Sequence, residues 1–550
     1  MKKIFNLLSP KLRTFTRIFI LSSFIASVLE IVSISILVPL LNILAGETSS
    51  KISFNLLNLD NVLNSISSTT LIYLFIIIYI LKLIYMVLNV FFQSYLNQTF
   101  INSLVKKMAS AYVNQGFDFH SKNSSSLLFK NLKTETAYVG LVFGSITAIL
   151  SDLILLTTVS ICLLIINFKI VIISFLIIIP LGFIYLFLSK KTNKDFSIIR
   201  NRVDKEINRH IYENFTGIRE VIFFNKKQFF IEKIIKNNDL QRSYVSYINT
   251  LSQSTKYYIE LVLLLILMTI YSYYSFMEIS LVELASTLII FLLASIRLLP
   301  IIARMQGNLQ LYNFYESSVD IVTKDISLKA HHNSNEIVFD SLEYIKGVNI
   351  NFKYDKEIVF NEFNFQISNK SLTIIHGESG KGKSTLLDLI TGNRKISNGT
   401  LFVNGIDVSQ NSFRFNKIAF MSQKPFVFHG SLLENICFGR DLDQANLSFA
   451  IKKAGIKRFI ETDNYDKVMI QEGGSNFSVG QIQRITLARC IYGAPSLIIM
   501  DEPTSAIDSE TEEEFIKSVE EISLQIKIII VTHSTVLLEK FENQEIIKIK

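Results

Sequence analysis

The sequence has 550 residues, of which 49% are hydrophobic and only 19% are charged, whereas a soluble domain carries about 25% charged residues. Its 43 Phe and 21 Tyr can form a large core, which excludes a disordered chain. Three cysteines without ligand-like spacing exclude a disulfide scaffold and a zinc site. The formal net charge of +8 is compatible with a nucleic acid or a membrane partner, and the positions of the charges decide between them.

Long apolar segments recur over roughly the first 320 residues, and each is long enough to cross a hydrocarbon core of about 30 Å. We predict six membrane-spanning helices, over residues 18–45, 71–95, 138–167, 170–189, 257–276 and 279–303. The first apolar run is too long for the core of a cleaved signal peptide and is therefore predicted to be retained.

The charged residues predict how these helices are oriented. Residues 190–256 contain fourteen Lys and Arg against seven Asp and Glu, whereas residues 46–70 contain one Lys against one Glu and one Asp. The positive-inside rule then places the N-terminus and both long polar segments, 96–137 and 190–256, in the cytoplasm. This accounts for the net charge without nucleic acid, and it predicts a multi-pass protein of the inner (plasma) membrane.

The composition changes after a polar stretch without periodicity, residues 328–336, which we interpret as a linker. From residue 337 onward, strand-like and helix-like segments alternate with glycine-rich turns. The predicted fold is therefore a polytopic α-helical membrane domain over residues 1–327, fused to an α/β P-loop domain over residues 337–550.

The strongest motif has the pattern G-x-x-x-x-G-K-[ST] and lies between a strand-like and a helix-like segment, which is the context that a P-loop requires. Its backbone N–H groups and the following helix N-terminus are suited to phosphate oxygens. In such a loop the lysine binds the β- and γ-phosphates of ATP and the final serine binds Mg²⁺. The predicted phosphate-site residues are Gly377, Glu378, Ser379, Gly380, Lys381, Gly382, Lys383 and Ser384, with Thr385 directly after them.

A second part of the site is predicted where the apolar strand-like run 497–500 ends in Asp501 and Glu502. A strand that is apolar on both faces suits the centre of a parallel sheet. Asp501 is predicted to hold the Mg²⁺ shell, and Glu502 to act as the general base toward the attacking water.

With these motifs in this order, the chain resembles the ABC transporters, specifically exporter-type half-transporters. The resemblance implies a role for each of several further residues. Tyr354 resembles the aromatic residue that stacks on adenine, and His533 resembles the histidine that contacts the γ-phosphate. Gln423 resembles the glutamine that joins the Mg²⁺ site to the membrane domain. Ser505–Asp508 resembles the D-loop, which makes Asp508 a nucleotide-site residue. Asp118–Asn123 and Tyr212–Phe224 match in position the coupling helices of exporters.

The signature motif of the family is usually L-S-G-G-Q, and this chain has Phe477-Ser478-Val479-Gly480-Gln481. Ser478, Gly480 and Gln481 are retained, so contact with phosphate is still expected. Val479 replaces a glycine where backbone and nucleotide approach closely, which predicts slower hydrolysis or weaker closure of an enzyme that remains an active ATPase. Because a signature completes the site of a partner, the resemblance implies a homodimer, with a heterodimer as the alternative.

The substrate clues are ionisable residues inside the predicted spans, where charges are costly and mark functional sites. Lys82, Arg297 and Arg304 are the candidate substrate residues. For Lys82, pairing with Glu30 or Glu260 is the alternative. Residues 294–300 and a predicted amphipathic helix over 52–66 resemble the PglK-type flippases for lipid-linked oligosaccharides, which implies a polyprenyl-pyrophosphate glycan as cargo. Another amphipathic cargo, namely a peptide, a lipid A-like lipid or a drug, and a weakly hydrolysing membrane regulator remain alternatives.

Overall fold

The computed structural model describes most of the chain. The described residues are 2–44, 68–166, 168, 172, 176, 180, 197–276, 281–328, 336–354, 357–368, 370–378, 380–504 and 509–549. Within the whole chain two compact units are distinguished. The first comprises Met1–Gln115 and His120–Ala330, and the second comprises Gly116–Phe119 and His331–Lys550.

The first unit is helical throughout its described part. Its long runs of Leu, Ile and Phe suit a lipid environment that offers no hydrogen bonds, and an α-helix satisfies all backbone N–H and C=O groups within the segment. Its helices are α1 (Lys2–Leu7), α2 (Pro10–Leu44), α3 (Ser68–Val113), α4 (Phe117–Lys122, whose first three residues belong to the second unit), α5 (Ser125–Lys130), a π-helical turn (Asn131–Glu135), α6 (Thr136–Ile166), α7 (residues 197–216), α8 (Ile218–Phe223), α9 (Lys227–Phe276) and α10 (Leu281–Ile326).

Four regions in the described part are long and apolar enough to cross a membrane: Pro10–Ser33, Ile72–Val113, Ser125–Ile161 and Gln253–Phe276. They overlap the first, second, third and fifth predicted spans. The sixth prediction, 279–303, falls largely within α10. Of the fourth, 170–189, the structure describes only residues 172, 176 and 180, which are helical. The amphipathic helix predicted over 52–66 lies outside the described residues.

The second unit is built on a five-stranded parallel sheet and a four-stranded antiparallel sheet. Its strands are β1 (Ile337–Phe339), β2 (Ile345–Tyr354), β3 (Glu357–Ile367), β4 (Leu372–Gly377), β5 (Asn398–Val403), β6 (Ile406–Asp407), β7 (Phe413–Phe415), β8 (Ile418–Met421), β9 (Gly430–Ser431), β10 (Met469–Ile470), β11 (Leu497–Asp501), β12 (Lys527–Thr532) and β13 (Glu545–Ile549). Its helices are α11 (Lys383–Ile390), α12 (Leu432–Cys437), α13 (Gln444–Lys453), α14 (Val479–Tyr492), α15 (Ser509–Ser523) and α16 (Thr535–Lys540).

The parallel sheet has the strand order β13-β4-β12-β11-β8. Its central strands are almost wholly buried and apolar, as expected for a sheet covered on both faces. The register aligns Asp501 with Val531 and Thr532 with His376. The segments that follow β4, β11 and β12 therefore leave the sheet at the same edge, which is where ligands bind in open α/β sheets.

Candidate active site

The P-loop connects β4 to α11 at the carboxyl edge of the parallel sheet. Gly380 and Gly382 have φ values of 83° and 96°, a left-handed conformation that glycine adopts without steric cost. A Cβ on Gly382 would lie 2.6 Å from Val359 Cγ1, so this turn also requires the absence of a side chain. Glu378 and Lys381 are exposed, and Ser379 lies outside the described residues. The loop thus has the shape that a phosphate cradle needs.

Lys383 is the first residue of α11 and its side chain is 6% exposed. Its Nζ donates hydrogen bonds to the carbonyl oxygens of Gly377 and Glu378, at 2.9 and 3.0 Å. A buried ammonium is stable only with such partners. Both acceptors belong to the loop itself, so the cation is held against the backbone of the predicted phosphate-binding loop.

Glu502 is the point on which the other predicted catalytic residues converge. Gln423 Nε2 donates to Glu502 Oε2 at 2.6 Å, His533 Nδ1 lies 3.1 Å from Glu502 Oε1, and Lys383 Nζ lies 3.6 Å from the same oxygen. The backbone of Glu502 has φ of 47°, a conformation that costs about 1–2 kcal/mol in a non-glycine residue. Its N–H donates to Val531 O at 2.8 Å, which holds this strained residue to β12.

A Mg²⁺ site is consistent with the neighbouring oxygens. Ser384 Oγ and Asp501 Oδ2 are 3.5 Å apart, and adjacent ligands of an octahedral Mg²⁺ with bonds of about 2.0–2.1 Å lie roughly 3 Å apart. Burial raises the pKa of Asp501, and the charge of Glu502 raises it further. A bound cation would therefore stabilise the ionised carboxylate. Ser384 and Asp501 are suited to be two ligands of that ion.

The predicted adenine platform, Tyr354, lies at the end of β2 and is 38% exposed. Its hydroxyl lies 3.3 Å from Thr385 Oγ1, and the ring of Phe352 packs edge-on at 5.0 Å. The guanidinium of Arg394 lies 4.8 Å from the ring centroid. Thr385, predicted as a nucleotide-site residue, is buried and contacts the platform. Sequence reasoning missed Arg394, for which no motif gave a signal.

The signature motif forms the N-terminus of α14. Ser478 is the N-cap, its Oγ accepts from the N–H of Gln481 at 3.2 Å, and Gln481 Oε1 accepts from the N–H of Ser478 at 2.9 Å. This reciprocal pair is a capping box, which the spacing S-x-x-Q could have predicted. Val479 is the first helical residue, with its side chain 47% exposed, and Gly480 follows it in the helix. Asp508 lies outside the described residues.

Comparison with known proteins identifies the two units. The family described as "ABC transporter transmembrane region" matches residues 16–299, more than half of the chain, and "ABC transporter" matches residues 360–505. The chain belongs to the ABC transporter family. Its second unit is accordingly an ABC ATPase domain, a fold class that binds ATP, and its first unit is an exporter-type membrane domain.

Individual relatives are similar over different shares of this transporter. It is 26% identical over 449 residues to an uncharacterized ABC transporter ATP-binding protein, YwjA, of Bacillus subtilis, covering 76% of this chain and 74% of that protein. It is 31% identical to the sublancin-168-processing and transport ATP-binding protein SunT of Bacillus subtilis, over 45% of this chain and 35% of that protein. It is 32% identical to the ATP-dependent lipid A-core flippase of Desulfotalea psychrophila, over 35% of this chain and 34% of that protein. The transporter thus aligns with about a third of the length of the last two relatives.

A solved structure confirms the fold class. The structure of a bacterial Atm1-family ABC exporter with ATP bound has a TM-score of 0.77, with 98% of this chain and 93% of that chain covered. The sequence identity is 16%, so this likeness extends to the fold alone.

The candidate substrate residues of the transporter lie in its membrane domain. Lys82 is buried, and its Nζ lies 2.6 Å from Glu30 Oε2 and 2.9 Å from Ser33 Oγ. The alternative interpretation of Lys82, pairing with Glu30, is the one that the structure contains. Arg304 pairs with Asp152 through its Nε and Nη2. The backbone of Arg297 is helical, and its side chain lies outside the described residues.

A cavity of about 380 Å³ lies between α2, α3, α6 and α10 of the same unit. Its polar lining consists of Ser23, Glu30, Asn89, Gln93, Asp152 and Arg304, together with Ser151. Glu30, which pairs with Lys82, is thus one of the residues that line this cavity. Lys82 and Arg304 are therefore each paired with a carboxylate, and of these two only Arg304 itself lines the cavity, with its side chain 57% exposed.

Proposed function

We propose that this transporter hydrolyses ATP at a site completed by a second copy and uses that energy to move a lipid-linked oligosaccharide from the inner to the outer leaflet. The observation that carries the ATPase part is the convergence of Gln423, His533 and Lys383 on Glu502. A carboxylate that accepts a hydrogen bond from Gln423 and is flanked by His533 and Lys383 is oriented in advance for one reacting atom.

Each residue of the site has one part in this proposal. Lys383 and the P-loop N–H groups hold the β- and γ-phosphates, and His533 contacts the γ-phosphate. Glu502 takes the proton of the attacking water, and Gln423 keeps Glu502 oriented. Bound Mg²⁺, held by Ser384 and Asp501 with Gln423 nearby, supplies positive charge that offsets the charge developing on the phosphate oxygens.

We propose a homodimer, because one chain contains one P-loop and one signature. A two-fold axis presents each signature to the other copy's P-loop, so that Ser478, Gly480 and Gln481 face the γ-phosphate. The α14 N-terminus, with its partial positive charge, favours this anion. The basic segments support a cytoplasmic location for the N-terminus and the ATPase domain.

Phosphate release from the purified transporter in nanodiscs tests the ATPase part, with Glu502→Gln as the matched control. We expect ATP- and Mg²⁺-dependent release from the natural sequence and almost none from the variant. Equal release from both would refute the assignment of Glu502. Release from neither would favour the alternative of a regulator that binds ATP and hardly cleaves it, for which Val479 is the motivating residue.

The polar cavity supports the cargo proposal. Hydroxyl and amide groups beside a half-exposed Arg304 suit a sugar-pyrophosphate headgroup better than an acyl chain, since arginine binds phosphate with two parallel hydrogen bonds. We propose that Arg304 exchanges Asp152 for the pyrophosphate, and that Arg297 assists. The buried Glu30 pair makes Lys82 a supporting residue rather than a first contact.

A double variant, Asp152→Asn with Arg304→Gln, tests this assignment because it removes both charges together. We expect basal ATP hydrolysis to persist and stimulation by a polyprenyl-pyrophosphate glycan to disappear. Stimulation equal to that of the natural sequence would overturn the role of Arg304. The sublancin transporter and the lipid A-core flippase among the relatives favour the alternative of another amphipathic cargo. Stimulation by a peptide or a lipid A-like lipid, and not by the glycan, would select that alternative.

A further inference from the structure

One arginine of the ATPase domain contacts three groups that the proposed mechanism does not connect. Arg394 follows α11, and its side chain is only 12% exposed. Its Nε donates to Asp388 Oδ2 at 3.0 Å, and its Nη1 lies 2.5 Å from Asp118 Oδ1. Its guanidinium carbon lies 4.8 Å from the centroid of the Tyr354 ring.

The guanidinium thus contacts two carboxylates and one aromatic ring. The two carboxylates bind separate nitrogens, so they set the plane of the group as well as its position. The distance to Tyr354 is within the roughly 6 Å over which a cation attracts an aromatic ring. With the Tyr354 hydroxyl beside Thr385 and the ring edge on Phe352, the guanidinium adds a third constraint on the orientation of the tyrosine.

The orientation of Tyr354 matters because a base stacks on one face of an aromatic ring. Tyr354 is 38% exposed although the guanidinium of Arg394 lies over its ring, so surface for a second planar group remains. A ring that is already held in place loses less conformational freedom when a base stacks on it. Removing Arg394 is therefore expected to weaken stacking without changing any contact to the phosphates.

The second carboxylate, Asp118, comes from a part of the chain far in sequence from the rest of the ATPase domain. Asp118 belongs to Gly116–Phe119, a segment grouped with the ATPase domain although it lies in sequence between helices α3 and α5 of the membrane domain. A contact that helps to bind ATP must itself be strengthened by ATP, since coupling free energies are reciprocal.

We propose that Arg394 is a positioning residue that fixes the adenine platform and makes ATP affinity depend on Asp118. This proposal rests on the proposed function, which requires ATP to bind, and on the stacking of adenine on Tyr354 that the family resemblance implies.

The test compares two ligands on the full-length transporter in nanodiscs, in a Glu502→Gln background that prevents hydrolysis. Mg-ATP and Mg-tripolyphosphate share the phosphate chain and differ in the nucleoside, and calorimetry gives the Kd for each. We expect Arg394→Leu to raise the Kd for ATP about threefold to tenfold and to leave the Kd for tripolyphosphate unchanged. The second value also reports whether the variant is folded. Arg394→Lys should resemble Arg394→Leu, because an ammonium cannot bind two carboxylates while lying flat on a ring.

Asp118→Asn tests whether the ion pair between Asp118 and Arg394 contributes to ATP binding. We expect Asp118→Asn to raise the Kd for ATP when Arg394 is present, and to have no further effect when Arg394 is replaced by Leu. Arg414→Leu is the matched control, since Arg414 of the same domain pairs with Glu336 and contacts neither the P-loop nor Tyr354 in the described residues. It should change neither Kd.

Several results would overturn the proposal. Equal weakening of ATP and tripolyphosphate by Arg394→Leu would mean that the arginine only supports the fold. An undiminished effect of Asp118→Asn in the Arg394→Leu background would mean that the two residues act independently. Tyr354→Ala separates this failure from that of the proposed function: if Tyr354→Ala leaves the Kd for ATP unchanged, adenine does not stack there and both statements fall. If it weakens ATP alone while Arg394→Leu does not, only the role of Arg394 falls.

Discussion

The buried pair of Lys82 and Glu30 gives the sharpest stability prediction, and it separates a structural from a substrate-binding role. Lys82 Nζ lies 2.6 Å from Glu30 Oε2, and the side chains are only 7% and 8% exposed. Replacing Lys82 with Met keeps most of the side-chain volume and removes the cation that pairs with Glu30.

The expected cost follows from the burial. A charge near the centre of a membrane costs about 2.5–3.5 kcal/mol on insertion scales, and deleting one partner of a buried ion pair costs about 3–5 kcal/mol. We therefore expect Lys82→Met to lower the free energy of unfolding by about 3 kcal/mol. Adding Glu30→Gln removes the remaining charge, so the double variant should recover most of that loss.

Unfolding of the transporter by SDS in mixed micelles measures these differences. Lys3→Met is a matched control, because Lys3 also lies 2.6 Å from a carboxylate oxygen, on Asp320, with both side chains well exposed. Water screens such a pair, and the control should leave the free energy of unfolding unchanged. A double variant no more stable than Lys82→Met, or a single variant as stable as the control, would refute the reasoning and return Lys82 to the substrate candidates.

Three further predictions concern the ATPase domain. Glu502→Gln should lower kcat about 10²–10⁴-fold because an amide cannot take a proton from water, while ATP still binds; unchanged phosphate release would contradict this. Asp501→Asn should raise the melting temperature of the nucleotide-free transporter near pH 7.5, because the raised pKa of Asp501 means that its ionised form destabilises the fold. The protonated form of Asp501 is the favourable one, so the difference in melting temperature between the variant and the natural sequence should shrink as the pH falls through that raised pKa. A variant with a lower melting temperature than the natural sequence at neutral pH would contradict the raised pKa of Asp501. Val479→Gly should lower the melting temperature and leave the turnover unchanged, because Val479 already has helical backbone angles and an exposed side chain; faster turnover would show that this side chain obstructs closure.

The expectation about Val479 depends on its local structure as well as on the motif. The departure from the signature predicted slower hydrolysis or weaker closure, because a β-branched residue replaces glycine. In the structure Val479 begins α14 directly after the Ser478 N-cap, a position at which a β-branched residue is accommodated. Strain within the chain is therefore absent at this residue, and any obstruction must come from a second copy.

The ion pairs show a different limit. Arg304 and Asp152 are 152 residues apart in the chain, and no periodicity or spacing connects them. Arg304 was a candidate substrate residue from the sequence, but which carboxylate pairs with it depends on how α6 and α10 pack. Arg394 had no signal at all, since a lone arginine after a helix resembles any solvated surface residue.

Local sequence patterns were enough to predict the family, the division into a membrane part and an ATPase part, and the residues of the nucleotide site. A phosphate-binding loop needs contiguous residues with fixed spacing, and a membrane span needs about 20 apolar residues in a row, so both can be recognised from neighbouring residues. The packing of the chain was needed to show that Gln423, His533 and Lys383 meet at Glu502, that Lys82 pairs with Glu30, and that the Arg394 guanidinium lies 4.8 Å from the centroid of the Tyr354 ring. These contacts join residues from distant parts of the chain, and their strength depends on burial, which the packing of helices and strands creates.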